Sequence, residues 1–204
     1  MITSFVSKIY SWLRPVIAYG KGNEIVMPSK YSKTKVRIYG NNNKVIFAKD
    51  MLLQNTVINV HGDNNKIIVG DKTRLIGPIY ITVRDGGSLI IGEKSSIRGV
   101  TFEISEAAIK IGASCMFSYE ILLRNHDSHK VLSIETGKVI NKPADIVLGD
   151  HVWVCEKATV MKGVSVGNDS IIALGALVTK DVPNNSVAAG IPAKITKTNI
   201  SWDY

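Results

Sequence analysis

Two histidines and an aspartate lie within four consecutive positions, at His126, Asp127 and His129. The pKa of imidazole lies near neutrality, so a histidine can take a proton from a hydroxyl group at physiological pH. Asp127 stands two positions before His129, and in an extended segment the two side chains would share one face, where the carboxylate could hold the imidazole tautomer. An aspartate in a polar loop also commonly caps a turn, so both roles remain open for Asp127. These residue types could together carry out general-base chemistry, whereas a single histidine taken by itself is more often structural.

These residues lie where a regular apolar pattern lapses, in a loop predicted over residues 124–145. Gly137 and Pro143 punctuate this segment, and its polar residues follow no strand or helix period. An interruption of a repeat that carries titratable side chains commonly houses function. The elements on either side of the loop must therefore position the two histidines.

Downstream of the loop, the sequence keeps a period of six residues. Aliphatic residues recur at Leu148, Val154, Val160, Val166, Ile172 and Val178. Four places after each comes a small or β-branched residue, namely Val152, Ala158, Val164, Ser170, Ala176 and Val182. This period fits neither an α-helix nor a flat strand, but it is typical of parallel β-helices, in which short strands form the faces of a prism. The sequence therefore predicts an all-β solenoid.

Upstream, the repeat is wider and looser. The segments GNNNKVIF and GDNNKIIVG begin 22 residues apart, at Gly40 and Gly62, and Arg84 with its RDGGSLIIG turn follows after another 22. Asn, Asp and Gly tolerate positive φ, so we interpret the asparagines at 41–43 and 64–65 as stacked corners and not as a sugar site. His61, beside one corner, is interpreted as structural.

The chain is expected to have three parts. Residues 1–20 place apolar side chains at helical spacing and are predicted to form an N-terminal amphipathic helix. Residues 21–195 form the β-helix with its inserted loop, and residues 196–204 form a tail. We expect the helix to cover the open end of the solenoid; the alternative is a helix lying on the cytoplasmic face of the membrane. Lys8 and Arg14 interrupt any signal-peptide core, and no uncharged run approaches the roughly 18 residues of a membrane span.

The charge distribution indicates which class of binding partner to expect, and the cysteine content indicates which cellular compartment. The 204 residues carry a net charge of +8, and residues 1–50 hold nine basic side chains against two acidic ones. This asymmetry favours an anionic partner: the inner leaflet of the membrane, a lipid-linked diphosphate precursor or an acidic polymer. No nucleic acid partner is expected. Cys115 and Cys155 form neither a zinc spacing nor a disulfide framework, which favours the cytoplasm.

The run IVLGDHVWVCEKATVMKGVSVGNDSIIALGALVTKDVPNNSVAAGIPAKI resembles the hexapeptide-repeat acyltransferases. Within them it is most similar to O-acetyltransferases of bacterial capsule and lipopolysaccharide synthesis, relatives of galactoside and maltose O-acetyltransferase. The match is specific from Arg124 to Lys194 and architectural before that. The resemblance implies a left-handed parallel β-helix, acetyl-CoA as co-substrate, no metal, a carbohydrate acceptor that is polymeric or lipid-linked, and direct attack by a sugar hydroxyl. It also implies a homotrimer with active sites between subunits.

The resemblance also assigns residues. His129 precedes Trp153 by 24 residues and aligns with the family's general base without gaps, whereas a one-gap alignment would select His126. Trp153 matches a wall of the acyl-donor channel, and Cys155 stands where relatives commonly carry glycine, which puts the local width of the channel in question. Direct attack leaves Cys155 without a covalent role. The expected donor contacts are Trp153, Ala173, Gly175, Thr179, Lys180 and Lys194.

Three other functions compete with this interpretation. The same fold and donor would serve an N-acetyltransferase of a nucleotide-linked amino sugar. Carbonic anhydrases of the γ type hold zinc on this solenoid with three histidines, and His126, His129 and His151 could supply them, although their spacing does not resemble that family's. A scaffold with a vestigial site is the third alternative.

Overall fold

The computed structural model of the chain describes residues 15–203. The predicted N-terminal helix falls mainly on residues 1–14 and lies outside the described range, as does Tyr204. The described residues contain β-strands and no helix. The strands are β1 Val16–Tyr19, β2 Glu24–Val26, β3 Lys30–Ser32, β4 Lys35–Tyr39, β5 Lys44–Phe47, β6 Leu52–His61, β7 Lys66–Val69, β8 Arg74–Arg84, β9 Ser88–Ile91, β10 Ser96–Arg98, β11 Val100–Ser105, β12 Ala108–Ile111, β13 Met116–Phe117, β14 Ile121–Arg124, β15 Ile146–Leu148, β16 Trp153–Val154, β17 Thr159–Met161, β18 Ser165–Val166, β19 Ile171–Ile172, β20 Leu177–Val178, β21 Ser186–Gly190 and β22 Ala193–Thr198.

The strands stack into a left-handed parallel β-helix of about seven turns, as predicted. Face 1 contains β1, β4, the second halves of β6 and β8, β11, β14, β17 and β20. Face 2 contains β3, the first halves of β6 and β8, β10, β13, β16, β19, β21 and β22. Face 3 contains β2, β5, β7, β9, β12, β15 and β18. Every pairing is parallel except that of β21 with β22.

The solenoid begins earlier than the predicted boundary at residue 21. Strand β1 pairs with β4 in register, from Val16 opposite Val36 to Tyr19 opposite Tyr39. Residues 16–20 are therefore part of the first coil and not of a helix. Pro15, which cannot continue a helix, immediately precedes this strand. At the other end, β22 runs past the predicted boundary at residue 195.

The six-residue period is confirmed as the pattern of the core. All six aliphatic positions are at most 2% exposed, and the six positions four residues later are at most 4% exposed. Successive side chains of a strand point to opposite faces, so each short strand sends one aliphatic residue inward. The wider upstream coils bury larger side chains, including Phe47, Phe102 and Phe117.

Phe102→Ala should lower the free energy of unfolding by about 3–5 kcal/mol, because it removes a fully buried ring from between two coils. Urea titration followed by circular dichroism measures the change. Lys30→Ala, on the exposed strand β3, is the control and should stay within about 0.5 kcal/mol of the parent chain. Equal stabilities for the two variants would contradict the assignment of this core.

The corner between faces 1 and 3 is held by a ladder of asparagines, as predicted. Nδ2 of Asn43 donates to Oδ1 of Asn23 at 3.1 Å, and Nδ2 of Asn65 donates to Oδ1 of Asn43 at 2.9 Å. Asn42 and Asn64 adopt φ of 55° and 60°, in the left-handed region that asparagine tolerates. Asparagine suits these positions because it tolerates a positive φ and because its side chain bonds to the next coil.

Candidate active site

The loop that carries the two histidines leaves the solenoid at this same corner, between β14 on face 1 and β15 on face 3. The backbone N–H of Asn125 donates to the carbonyl of Glu103 at 3.1 Å, and that of Ala144 donates to the carbonyl of Asn125 at 3.0 Å. Both ends of the loop are thus fixed to the coils. The loop folds back on itself through an antiparallel bridge between Leu132 and Val139.

A cleft of about 520 Å³ lies between this loop and the corner of the solenoid. The solenoid contributes Arg84, Asp85, Ser105 and Glu106, and the loop contributes residues 126–130, 139 and 141–143. The cleft therefore brings together the three side chains that the sequence singled out: His126, Asp127 and His129.

His126 is buried, with 6% of its surface exposed. Its Nδ1 lies 3.2 Å from the carbonyl oxygen of Asp127, which can only accept, so Nδ1 carries the proton in the neutral ring. That tautomer leaves Nε2 as an acceptor. Nε2 is buried and has no hydrogen-bond partner among the described residues.

His129 occupies the exposed rim of the cleft. Its carbonyl oxygen accepts a hydrogen bond of 2.8 Å from Nδ2 of Asn141, so the backbone at this residue is held. Within the described part of the chain, the imidazole ring makes no hydrogen bond. It is therefore open to a ligand that enters from solvent.

The carboxylate of Asp127 contacts neither imidazole. Its carboxylate accepts hydrogen bonds from Nζ of Lys162 and, at 2.8 Å, from Nδ2 of Asn141. The hydrogen bonds from Lys162 and then Asn141 lower the pKa of this carboxyl group. Of the two roles that the sequence left open for Asp127, the contact with a histidine ring is not formed, and the carboxylate holds the loop to the next coil.

The sequence reasoning missed Asn141 and Lys162. Asn141 holds three parts of the loop: its Nδ2 donates to Asp127 and to the carbonyl of His129, and its Oδ1 accepts from the N–H of Val131 at 2.7 Å. Nζ of Lys162 also donates to the carbonyl of Asn141 at 3.0 Å. No local signal reveals this clamp, because its partners are 10 to 35 residues apart in the chain.

Arg124, the last residue of β14, fixes the beginning of the loop. Its Nε donates to the carbonyl of His126 at 3.0 Å, and its Nη2 donates to Oγ of Ser128 at 2.6 Å. A side chain on a rigid strand thus holds His126 and Ser128, in the segment that carries both histidines.

None of the expected donor contacts lines the cleft. Trp153 is on face 2, Ala173 and Gly175 lie between β19 and β20, Thr179 and Lys180 follow β20, and Lys194 is on β22. Gly175 adopts φ of +68°, and a Cβ at this position would contact no atom within 4 Å. The surface there has room for a ligand. Thr179 and Lys180 lie at the corner from which the loop leaves, because Val178 is opposite Val160 and Val160 is opposite Leu123.

Trp153 points outward, as predicted, but the C-terminal tail packs against it. The ring of Trp202 lies 5.8 Å from that of Trp153 and stacks on His151 at 4.0 Å. Nε1 of Trp202 donates to the carbonyl of His151 at 2.9 Å. Nε1 of Trp153 is buried and finds no hydrogen-bond acceptor within residues 15–203. The tail therefore forms part of the surface on which Trp153 is predicted to contact acetyl-CoA, the donor surface.

The cysteines are not activated. Burial raises the pKa of Cys115 to about 11, and it also raises the pKa of Cys155. Since the thiolate is the reactive form, both thiols are poor nucleophiles.

The three histidines considered for zinc do not come together. His151 lies at the corner between faces 3 and 2, where its Nδ1 is 2.9 Å from Oδ1 of Asp169, whereas His126 and His129 extend from the corner between faces 1 and 3. No cluster of three or more potential metal ligands occurs within residues 15–203. In the same range, no helix has the length and apolar character that crossing a bilayer requires.

Comparison with known sequences finds no matching family model. The chain is 38% identical over 106 residues to the polysialic acid O-acetyltransferase of Escherichia coli O1:K1, covering 51% of this chain and 34% of that protein. It is 30% identical over 96 residues to the galactoside O-acetyltransferase of Escherichia coli K12, covering 46% of each. The matched segments thus span less than half the length of these curated relatives.

Solved structures match over nearly the whole chain. The polySia-specific acetyltransferase NeuO superimposes with a TM-score of 0.86 at 37% identity, covering 93% of this chain and 88% of that one. The polysialic acid O-acetyltransferase OatWY gives a TM-score of 0.88 at 28% identity, covering 94% and 92%. The chain therefore belongs to the hexapeptide-repeat acyltransferases, in the group of O-acetyltransferases that contains these two proteins.

Proposed function

We propose that the chain transfers an acetyl group from acetyl-CoA to a sugar hydroxyl of a bacterial surface polysaccharide or its precursor. The observation that carries this proposal is the cleft, in which two imidazoles share one polar space on the fold of NeuO. The names of the relatives support a carbohydrate acceptor, and those of NeuO and OatWY support an acidic one. We place the reaction in the cytoplasm.

His129 is the proposed general base. Its ring accepts the proton of the acceptor hydroxyl while the hydroxyl oxygen attacks the carbonyl carbon of the thioester. The oxyanion that forms would be stabilised by a backbone N–H, and its collapse breaks the bond between carbon and sulfur. The protonated His129 then returns the proton to the departing sulfur, so the products are an acetyl ester and the free thiol of CoA.

His126 is the alternative base, favoured by its buried and unpartnered Nε2. We assign the base to His129 because its ring is accessible from solvent and because its spacing from Trp153 matches the family without a gap. His126 would then contact the acceptor, with Nε2 accepting a hydrogen bond from a second sugar hydroxyl. Asp127 contributes by holding the loop.

Acetyl-CoA is proposed to contact Trp153, Ala173, Gly175, Thr179, Lys180 and Lys194. Because none of these residues lines the cleft of its own chain, we place the meeting of donor and acceptor between two subunits. A closed cyclic trimer, in which the cleft of one subunit faces the donor surface of the next, would meet this requirement.

Sedimentation equilibrium should therefore give a mass about three times the 22.3 kDa of one chain, because each active site needs two neighbours. Mixing chains that carry His129→Ala with chains that carry Trp153→Ala should restore part of the activity that each variant lacks alone. A monomer with full activity would contradict the shared site.

The function itself is tested by thiol release from acetyl-CoA with a panel of hydroxyl and amine acceptors, followed by mass analysis of the product. An acetyl ester on a polysaccharide or oligosaccharide supports the proposal. An acetamide formed on an amino sugar would show an N-acetyltransferase instead. Without thiol release for any acceptor, the proposed reaction is refuted.

A further inference from the structure

The C-terminal tail, residues 199–203, follows β22 and turns back along the corner between faces 3 and 2. The backbone N–H of Ile200 donates to the carbonyl of Asn185 at 3.1 Å, and Nδ2 of Asn185 donates to the carbonyl of Ile200 at 3.1 Å. Nε1 of Trp202 donates to the carbonyl of His151, at the same corner two coils earlier. The tail and the side chain of Trp202 thus bridge two coil steps, or about 10 Å.

Trp202 is fixed in place by two interactions with His151. The two rings stack with their centroids 4.0 Å apart at an interplanar angle of 7°, and the indole N–H donates to the carbonyl of the same residue at 2.9 Å. His151 is itself held, because its Nδ1 lies 2.9 Å from Oδ1 of Asp169. Trp202 is only 9% exposed, although it lies near the end of the chain. Its ring is therefore an anchored part of the structure.

Trp202 in turn packs against Trp153, the proposed wall of the donor channel. The ring centroids are 5.8 Å apart at an interplanar angle of 42°, within the range of favourable tilted aromatic pairs. Trp153 is half-buried, and its Nε1 is buried. Since Nε1 is the only polar atom of this side chain, the part of the ring that stays accessible is carbon. Trp153 therefore offers a ligand an apolar surface.

The position of Trp202 leaves one side of Trp153 for the donor. Trp202 stacks on His151, which precedes β16, so it lies on the side of Trp153 toward the corner between faces 3 and 2. Ala173 and Gly175 follow β19 and lie at the opposite corner, between faces 2 and 1. The tail and these two proposed donor contacts thus flank Trp153 from opposite directions.

We propose that Trp202 is a positioning residue of the donor site. It holds the ring of Trp153 from the side away from Ala173 and Gly175, so that the accessible carbons face the pantetheine arm of acetyl-CoA. Trp202 does not touch the donor. A ring that is fixed before binding loses less freedom when the donor binds, so the affinity is higher. This proposal rests on the proposed function for the identity of the donor.

The test measures acetyl-CoA binding by equilibrium dialysis without an acceptor, followed by kcat and the KM of each substrate. Trp202→Ala should raise the Kd of acetyl-CoA by about three- to tenfold, the effect of freeing one large side chain that binding must order again. At saturating donor, kcat and the KM of the acceptor should stay within about twofold of the wild type. A residue that only stabilised the fold would not discriminate between the two substrates.

A double-mutant cycle separates positioning from an independent contact. If Trp202 acts through Trp153, then Trp202→Ala should weaken donor binding no further in a chain that already carries Trp153→Ala. Trp202→Phe keeps a ring against Trp153 and should retain most of the affinity. Tyr31→Ala, which removes a tyrosine 43% exposed on the same face, is the control and should leave the Kd unchanged.

A thermal melt of each variant separates loss of binding from loss of fold. If Trp202→Ala does not fold, Trp202→Leu keeps an apolar side chain without a ring, and the same rise in Kd is expected. Equal acetyl-CoA affinity in the wild type and in the folded ringless variant would overturn the proposal. So would losses that add in the double variant, or a loss in Trp202→Phe as large as that in the ringless variant.

The outcomes for the wild type distinguish this proposal from the proposed function. A wild-type chain that binds acetyl-CoA but acetylates no sugar would refute only the proposed function, because dialysis still measures the effect of Trp202. A wild-type chain that binds no acetyl-CoA would refute both.

Discussion

Replacing His129 with alanine should lower kcat by about 10²–10⁴-fold, the usual contribution of a general base. Acetyl-CoA binding should survive, because the proposed donor contacts lie on other elements. The fold should survive too, since His129 is exposed and its ring makes no hydrogen bond within the described residues. Thiol release at saturating acetyl-CoA measures kcat, and equilibrium dialysis measures donor binding.

His126 provides the comparison, but its burial restricts the choice of variant. Alanine would leave a cavity at a buried position, so His126→Gln, which keeps a polar group of similar size, is the better change. We expect His126→Gln to raise the KM of the acceptor and to cost far less in kcat than His129→Ala. An inactive His126→Gln beside a nearly normal His129→Ala would move the base to His126. Wild-type rates in both would refute the mechanism.

The hydrogen bonds to Asp127 determine how the clamp should respond to acid. The hydrogen bonds from Lys162 and Asn141 lower the pKa of Asp127 below its usual 3.8. A carboxyl group with a lowered pKa in the folded state contributes stability above its unfolded value and loses it only as the pH falls through the lowered one. The stability contributed by the clamp should therefore be lost only as the pH falls through the lowered pKa of Asp127, which urea titration at several pH values measures.

Asn141→Ala should lower kcat by about 100-fold while leaving the melting temperature close to that of the wild type. The substitution removes the bonds that tie Asp127, the carbonyl of His129 and the N–H of Val131 together. A small displacement of a catalytic group can cost about this much in rate. Stopped assays over a range of acceptor concentrations separate kcat from KM.

Thr136→Ala is the matched control for Asn141→Ala. Thr136 belongs to the same loop and accepts a hydrogen bond from the N–H of Lys138, but it does not line the cleft. It should retain at least about half of the wild-type rate, since it has no contact with the histidines. If the two variants lose activity equally, the loop responds to any perturbation and Asn141 has no special positioning role.

The solenoid was predictable because its six-residue period can be recognised within a short stretch of sequence. Each aliphatic residue from Leu148 to Val178 repeats the same inward position, and a short-range pattern is enough to find it. The position of the histidines on an interrupting loop was predictable for the same reason. The asparagine ladder followed from the turn preferences of Asn and Gly.

The clamp and the docking of the tail were not predictable, because both depend on contacts between distant parts of the chain. Lys162 reaches Asp127 across 35 residues, and Trp202 packs near Trp153 from the end of the tail. Helical spacing also extended the predicted N-terminal helix through residue 20, whereas pairing of β1 with β4 makes residues 16–19 a strand. Tertiary pairing overrides local propensity in such cases.

Because the coils are stacked, the length of face 1 can change without any change in the catalytic loop. Each coil of a solenoid contacts only its neighbours, so a duplication of one 22-residue unit near Gly40 would leave the loop and its clamp unchanged. Such an insertion would lengthen face 1 by about 4.8 Å. Related chains that gain or lose whole coils would therefore differ in the length of face 1, and so in the length of acceptor that it matches, while the catalytic loop stays the same.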